Sequence, residues 1–541
     1  MAQAKPIDGE YDYVIVGAGS AGCLLANRLS ADAKSRVLVL EAGGPDNWIW
    51  FHIPVGYLFA IGNPRSDWCF KTEPVPGLNG RALNYPRGKA IGGSSSINAM
   101  IYMRGQSADY DHWRQLGLAG WGWDDVLPYF KRHENHFLGD ADKYGTDGEL
   151  PIQPPRVSWD LLDAFRAAAA QAGVKSIRDF NTGDNEGCGA FHVNQKRGRR
   201  WSAASAFLKP ALKRGNIRLE TGCLVESVMF DGRRALGVRW RQSGETRSAR
   251  CRGEVILAAG AIGSPQLMLL SGVGPAEQLR ERGIAVVADR PGVGANLQDH
   301  LQLRMIYKVD GIPTLNERYY APLGLTRMLM EYALFRRGPL TMAPSQLGLF
   351  TRSDPDQERA NLQYHVQPLS LDKFGDPLHT FPAFTASVAN VRPTSRGSVR
   401  LRSSDAADAP LIQPNYLSTD QDRRIAAAAI RLTRRIAAQQ ALAPYHPAEY
   451  LPGASVPDND EAALIKAAGD VGTTIFHPVG TAKMGLPSDP MMVVDAELRV
   501  AGVERLRVVD ASVMPAITSG NTNAPTMMIA EKGAALIRAA A

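Results

Sequence analysis

The feature that most restricts this chain lies near its start. Residues Tyr13-Val14-Ile15-Val16 form a short apolar, β-branched run that breaks at Gly17-Ala18-Gly19-Ser20-Ala21-Gly22 and resumes as Cys23-Leu24-Leu25-Ala26-Asn27-Arg28-Leu29. That pattern predicts a strand, a glycine turn and a helix. A second apolar run, Val37 to Leu40, ends in Glu41, 19 residues after Gly22. Each part has a physical task. Gly17 permits the tight turn, Gly19 lets backbone approach a pyrophosphate, and Gly22 lets helix and strand pack closely. The unpaired N–H groups of the first helical turn face phosphates, and Glu41 accepts hydrogen bonds from a ribose hydroxyl. The unit reads as a dinucleotide-binding βαβ.

The motif leaves NAD and FAD both open. A single copy at the head of a 541-residue chain fits a flavoprotein that holds one FAD throughout turnover. Glu254 to Ala261 and Arg505 to Ser512 are further apolar strands ending in small residues, so the dinucleotide domain is expected to be discontinuous. With 45% hydrophobic and 21% charged residues the chain has material for a large core, which excludes a disulfide miniprotein, a coiled coil and a disordered scaffold. A net charge of +7 is small for this length and argues against nucleic acid as the main partner. The five cysteines, Cys23, Cys69, Cys188, Cys223 and Cys251, are odd in number and lack CxxC spacing. They are expected to be reduced and mostly buried, with no zinc site or disulfide framework. Met1 to Tyr13 is polar, without the apolar run of a secretory leader, so the expected compartment is the cytoplasm. No stretch approaches the roughly 18 consecutive apolar residues that cross a bilayer.

Two long segments narrow the reading. Gly88-Lys89-Ala90-Ile91-Gly92-Gly93-Ser94-Ser95-Ser96-Ile97-Asn98-Ala99-Met100-Ile101-Tyr102, continuing through Gly105 and Asp111, closely resembles the first signature of the glucose–methanol–choline (GMC) oxidoreductase family. Gly260-Ala261-Ile262-Gly263-Ser264-Pro265-Gln266-Leu267-Met268-Leu269-Leu270-Ser271-Gly272-Val273-Gly274 resembles the second. Flanking matches at Asn296 to His300, Arg392 to Gly397 and His477 to Lys532 extend the likeness from about Asp12 to Ile537. Without the likeness, the first signature is a glycine- and serine-rich loop. The apolar Ala99-Met100-Ile101 after it argues against a solvated turn, because buried loop backbone needs hydrogen-bond partners.

The resemblance implies an α/β plus α+β architecture. A Rossmann-like FAD-binding domain would be built from residues 12–155, 191–300 and 490–541, and a substrate-binding domain on an antiparallel sheet from 156–190 and 301–489. Alternating segments Leu362 to Val366, Phe384 to Val388 and Gly397 to Leu401 fit that sheet as half-buried strands, and Ile425 to Leu442 reads as a helix. The resemblance further implies that Asn98, Ala99, Met100 and Ile101 line the isoalloxazine and that Gly92 and Ser94 lie near the pyrophosphate. Ala42, Val225, Ala259, Asp510, Ala511 and Thr522 are carried over as further cofactor neighbours. Choline oxidases of the family place a flavin-linking histidine where this chain has Ile97, so FAD is expected to be non-covalent.

His477 stands in Thr473-Thr474-Ile475-Phe476-His477-Pro478-Val479-Gly480 and resembles the family's active-site histidine; its partner, a His or Asn, maps to Asn521, 44 residues on. Asn523 is a candidate for pinning either the flavin or that partner. Neutral imidazole is a suitable base for an alcohol proton near neutral pH. An amide does not titrate, so Asn521 is expected to orient the hydroxyl and donate to developing alkoxide. Phe476 is expected at the substrate. So is Gln346, which falls where choline-acting relatives carry a glutamate; a neutral side chain there points to an uncharged primary alcohol rather than choline.

The alternatives are a choline dehydrogenase, a hydroxynitrile lyase, a photodecarboxylase-like flavoprotein, whose group lacks the histidine, and a non-catalytic flavin module. The electron acceptor, a quinone, another acceptor or O2, is left open by the sequence, with a lean towards a dehydrogenase. Two other features have plainer readings. Lys196-Arg197-Gly198-Arg199-Arg200 reads as a solvated, helix-flanking segment. Leu325, Met328, Leu329 and Tyr332 share one helical face near Arg327, Arg336 and Arg337, for which core packing is favoured over peripheral membrane contact.

Overall fold

Strand Glu10–Val16 sits between Val37–Glu41 on one side and the end of Glu245–Leu257 on the other, all three parallel. Ile217–Thr221 extends the parallel set beyond Val37–Glu41, and Leu506–Val508 pairs with Val255–Leu257. Leu224–Asp231 and Arg234–Gln242 complete the seven-stranded sheet as an antiparallel meander leading into Glu245–Leu257. The structure, a computed structural model, describes residues 8–373 and 375–540. The helix Ser20–Leu29 follows the first strand, and all of Val14, Ile15, Leu38 and Val39 are buried. Burial on both faces is why these strands read as unbroken apolar runs. The expected strand from Glu254 to Ala261 starts earlier and ends at Leu257, and Gly260 opens the next helix, Gly260–Leu270.

A second, antiparallel sheet runs in the order Ala448–Leu451, Leu301–Lys308, Ala383–Asn390, Leu362–Gln367, Leu347–Thr351, Gly187–Ala190, with Gly472–Thr474 paired to the start of Leu301–Lys308. Two expectations need correction here. Leu362–Gln367 and Ala383–Asn390 are buried along nearly their whole length rather than half-buried. One face packs beneath the helix Asp420–Ala437, where Tyr364 and Thr433 share a hydroxyl hydrogen bond of 3.0 Å, and the other looks towards the first sheet's glycine turns. The segment Gly397 to Leu401 does not join this sheet; Ser398–Arg400 pairs with Leu411–Gln413 in a separate ladder. The helix expected from Ile425 starts at Asp420, because the Thr419 side chain accepts from Asp422 N and caps it there. All five cysteines are free, and Cys69 alone among them is exposed.

Candidate active site

The order of the first sheet reverses between Glu10–Val16 and Glu245–Leu257, so a crevice opens at their carboxyl ends. The backbone there is close: a Cβ on Gly17 would lie 2.6 Å from Ala258 O, one on Gly93 2.7 Å from Gly19 Cα, and one on Gly22 only 1.8 Å from Gly17 O. Any larger residue at these positions would fill the groove or part the helix from its turn. Gly17, Gly19, Ser20 and Ala21 line the resulting cavity together with Ala42, Ser94, Val225, Ala259, Ala511 and Thr522. The helices starting at Ser20 and Gly260 both point their N-termini into it without a side-chain cap at the preceding residue. The N–H groups of the first turn at Ser20 form a cradle for a pyrophosphate, while at the second helix Gly260 N is taken by Asp510.

Glu41 lines the cavity and is held by the turn itself, its Oε2 accepting from Ala18 N at 2.8 Å and its Oε1 from Gly43 N at 2.7 Å. Burial pushes its carboxyl up to about 7. Asp510 accepts from Gly260 N at 2.8 Å and from the Ser264 hydroxyl at 2.5 Å, fastening the strand Leu506–Val508 to the second signature. Ser20 donates to Asn523 at 2.7 Å, closing the first helix against the last. The groove, the free N–H groups and the acid at the second strand's end fit FAD. Ala18, Gly22 and Gly92, also expected at the cofactor, are not among the residues that line the cavity. The Ala18 carbonyl accepts from Gly92 N at 2.7 Å, so these residues shape the turn from behind.

At the other end Asn98, Ala99, Met100 and Ile101 meet Phe476, His477 and Asn521. Met100 and Phe476 both have left-handed backbone, φ 62° and 71°. Such strain costs on the order of 1–3 kcal/mol in a non-glycine residue and persists where the surroundings fix it. Asn98 Oδ1 accepts from Met100 N at 2.9 Å, and Arg87 donates to Phe476 O at 2.7 Å.

Gly472–Thr474 runs antiparallel to Leu301–Leu303, which delivers His477 beside His300, their Nδ1 atoms 3.1 Å apart. His300 Nε2 lies 3.2 Å from Val391 O, an atom that can only accept, so His300 carries its proton on Nε2 and accepts at Nδ1. His477 therefore donates from Nδ1 and presents Nε2 as a lone pair. Asn521 Nδ2 sits 3.0 Å from that Nε2, while Asn521 Oδ1 accepts from Gln363 Nε2 at 3.1 Å. The chain of bonds leaves one proton arrangement for His477. Burial first, then the neighbouring His300, His365 and Arg87, holds its pKa well below the usual histidine value. Beneath it, buried Asp299 accepts from His477 N at 2.8 Å, His300 N at 2.9 Å and Thr474 Oγ1 at 2.6 Å, as well as from the Tyr85 and Tyr416 hydroxyls.

Gln346 is not part of the cavity wall. Its amide donates to Val157 O at 2.9 Å, and its neighbours Pro344 and Ser345 line the space instead. The polar groups at that end are Gln302, His365 and Gln367, from the two strands that flank Ala383–Asn390 in the second sheet. Alternation in Leu362-Gln363-Tyr364-His365-Val366 carried the signal, which pointed to solvent only on the assumption that the polar face was wet. Trp68 lines the cavity, but the Lys89 ammonium already sits 4.6 Å over its ring. Away from the cavity, His136, Asp179 and His192 bring ligand atoms within 4.8 Å of one another, a grouping that the cysteine-based reading did not consider.

Comparison with known proteins agrees with this geometry. GMC oxidoreductase family models match residues 11–302 and 393–530. An oxygen-dependent choline dehydrogenase of Brucella anthropi is 44% identical over 527 residues, 97% of this chain and 94% of the relative. An alcohol dehydrogenase [acceptor] of Pseudomonas putida is 42% identical over 532 residues, 97% of this chain and 95% of the relative. The crystal structure of pyridoxine 4-oxidase from Mesorbium loti superposes with a TM-score of 0.87 at 34% identity, covering 97% of this chain and 98% of the other.

Proposed function

The chain belongs to the GMC oxidoreductase family, and on that premise we propose that it oxidises an uncharged primary alcohol, aliphatic or aromatic, to the aldehyde, with His477 as base and FAD held non-covalently. FAD, when bound, supplies the hydride acceptor. His477 Nε2 takes the hydroxyl proton as the carbinol C–H bond breaks, and the Asn521 amide orients the oxygen and donates to the charge that develops there. The observation that carries this reading is the bond chain from Val391 through His300 and His477 to Asn521, which holds a neutral imidazole with its Nε2 lone pair turned to the Asn521 amide at the cavity wall, where an alcohol hydroxyl would take that amide's place. Anaerobic addition of a panel of alcohols tests it: flavin absorbance should bleach, and a panel that never bleaches it refutes the assignment.

Ile97, buried in the cavity wall, has no atom that could bond to a flavin. Acid precipitation should release all yellow colour into the supernatant. The charge of the substrate follows from the wall. Among the described residues, its carboxylates are Glu41 and Asp510, both engaged with backbone N–H groups of the glycine turns. Arg200 and Arg304 are buried close by, and desolvation lowers the pKa of each, opposed by Tyr57 of the cavity wall at Arg200 and by Asp372, then Tyr57, at Arg304. A quaternary ammonium would be desolvated there without a counter-charge, whereas a neutral alcohol can bond to Gln302, His365 or Gln367. Choline is the second reading, favoured by the identity to the Brucella anthropi enzyme. Steady-state kinetics on choline, benzyl alcohol and a medium-chain alkanol separate the two, with choline expected to have the lowest kcat/KM. Peroxide yield in air compared with dye reduction under nitrogen distinguishes O2 from a quinone or other acceptor. We place the protein in the cytoplasm, a reading supported by its five free cysteines.

A further inference from the structure

The helix Gly324–Phe335 is apolar on its exposed side as well as on its buried one. Gly324, Met328 and Tyr332, one stripe at i, i+4 and i+8, are buried, yet the stripes beside them, facing out, are also apolar. Leu325, Leu329, Met330 and Phe335 are exposed, and Leu323 and Leu334 reach 68% and 72% exposure. Single exposed leucines are ordinary, but a continuous apolar helix face is not. Around this face six exposed cations stand against two exposed acids, Glu317 and Glu331. Arg327, Arg336 and Arg337 stand on or beside the helix. The basic hairpin with exposed Lys196, Arg197 and Arg199 is bound to the same helix, the Gly198 carbonyl accepting from Tyr332 Oη at 3.2 Å. Of the two acids, Glu331 leans towards Gly338 and Glu317, in the preceding helix Leu315–Tyr320, is engaged by the Thr314 cap, which leaves the basic excess at the rim.

We propose that this face seats the protein in the interfacial layer of an anionic phospholipid bilayer. An apolar helix face rimmed by arginine and lysine is the form such docking takes, with the side chains entering the acyl boundary and the cations resting at the headgroups. No helix among the described residues is long and apolar enough to cross a membrane, so the contact is peripheral. A second copy of the chain is disfavoured as the occupant, because a two-fold contact would press two cationic rims together. The position also has a use. Pro339–Thr341, directly after the helix, packs against Pro54–Gly56, and Tyr57, Pro344 and Ser345, a few residues beyond each, line the cavity. Docking would therefore set the substrate end of the cavity beside the bilayer, where a lipid-soluble alcohol or acceptor is dissolved.

The test is flotation of the purified holoprotein with vesicles of equimolar phosphatidylglycerol and phosphatidylcholine, against phosphatidylcholine alone. The protein should float with the anionic vesicles only, and less at high salt. The triple variant Leu323→Ser/Leu334→Ser/Phe335→Ser should stay at the bottom of the gradient. Arg327→Glu/Arg336→Glu/Arg337→Glu should partition on the order of 10²-fold more weakly. Both variants should keep the dye-linked turnover of a water-soluble alcohol. Hydrogen exchange of the unmodified protein gives a readout that does not depend on the variants folding, with protection by anionic vesicles expected at 315–337. No flotation, equal flotation of the variants, or no protection overturns the proposal. So does a concentration-dependent dimer, dispersed by the apolar variant, in a protein that does not float.

Discussion

Replacing His300 by leucine should slow flavin reduction without loosening either flavin or substrate. In the native site the His477 Nδ1–H donates to His300 Nδ1 over 3.1 Å, and this bond makes Nε2 the basic atom. Leucine removes the acceptor of the His477 Nδ1–H, and a buried donor left unmatched costs about 1–3 kcal/mol. His477 then escapes the penalty by moving its proton to Nε2, with the Asn521 and Gln363 amides turned over so that Asn521 Oδ1 accepts it, and in that form it cannot accept from an alcohol. The competent fraction should fall by the same free energy, about 5- to 150-fold. His300→Gln is the internal control. Its carbonyl oxygen can accept from His477 while its amide donates to Val391 O, so most of the rate should return. The assay is anaerobic stopped-flow bleaching at saturating alcohol, with flavin content and the substrate concentration at half-maximal rate measured alongside. If the leucine variant bleached within twofold of the native rate, or the glutamine variant were as slow as the leucine one, the tautomer argument would be wrong.

Four further outcomes follow from the same geometry. His477→Ala should retain bound FAD and lose at least roughly 10²-fold in turnover, the usual worth of a positioned base; near-normal flavin reduction would remove His477 from the mechanism. Because the His477 pKa is held well below 6.5, the limiting reduction rate should stay flat as pH falls through 6.5, and a midpoint at that value would contradict the assignment. Stability should behave differently: His300 and His365 are pushed down to about 3 and His133 and His136 to about 4, all mainly by burial. Their contribution is complete above the unfolded value near 6.5 and is lost as pH falls from there towards the folded values, by up to about 1.4 kcal/mol per pH unit for each histidine. Thermal melts between pH 7 and about 4 read this directly. Asp299→Leu strands five donors and should cost at least about 3 kcal/mol in urea unfolding; a loss under about 1 would mean that the hydroxyls find other partners.

Parts of the fold were legible because their signals are local. Tyr13 to Val16 and Val37 to Glu41 are buried on both faces, so the sequence carries continuous apolar runs, and Gly22 between them answers to Gly17 O within the turn, although Gly17 itself answers to the distant Ala258 O. Leu362 to Val366 misled because alternation reports the polarity of what a face meets, not whether that face is wet. Its polar side meets a cavity, with His365 beside Ser387 and Gly348 across the strands. The segment Gly397 to Leu401 had the right alternation but the wrong sheet, since its partner at 411–413 is chosen by tertiary packing. The helix Gly324–Phe335 shows the same limit: periodicity separates stripes but does not say which one faces the core.

The site divides along the same line. His477 and Asn521 could be picked out because each stands in a long contiguous pattern, and the structure brings them to 3.0 Å. What decides the chemistry is which imidazole nitrogen holds the proton, and that is set by a chain through five separate segments, ending at a backbone carbonyl, Val391 O, which no side-chain pattern marks. Gln346 shows the converse. Its position in a pattern made it a substrate contact, whereas its amide is committed to Val157 O, and the side chains that face the space come from strands on which each residue looks like ordinary sheet. A motif fixes backbone that must approach closely. The polarity of the substrate end is instead set by three glutamine and histidine side chains, Gln302, His365 and Gln367, whose common feature is the face of the sheet that they share.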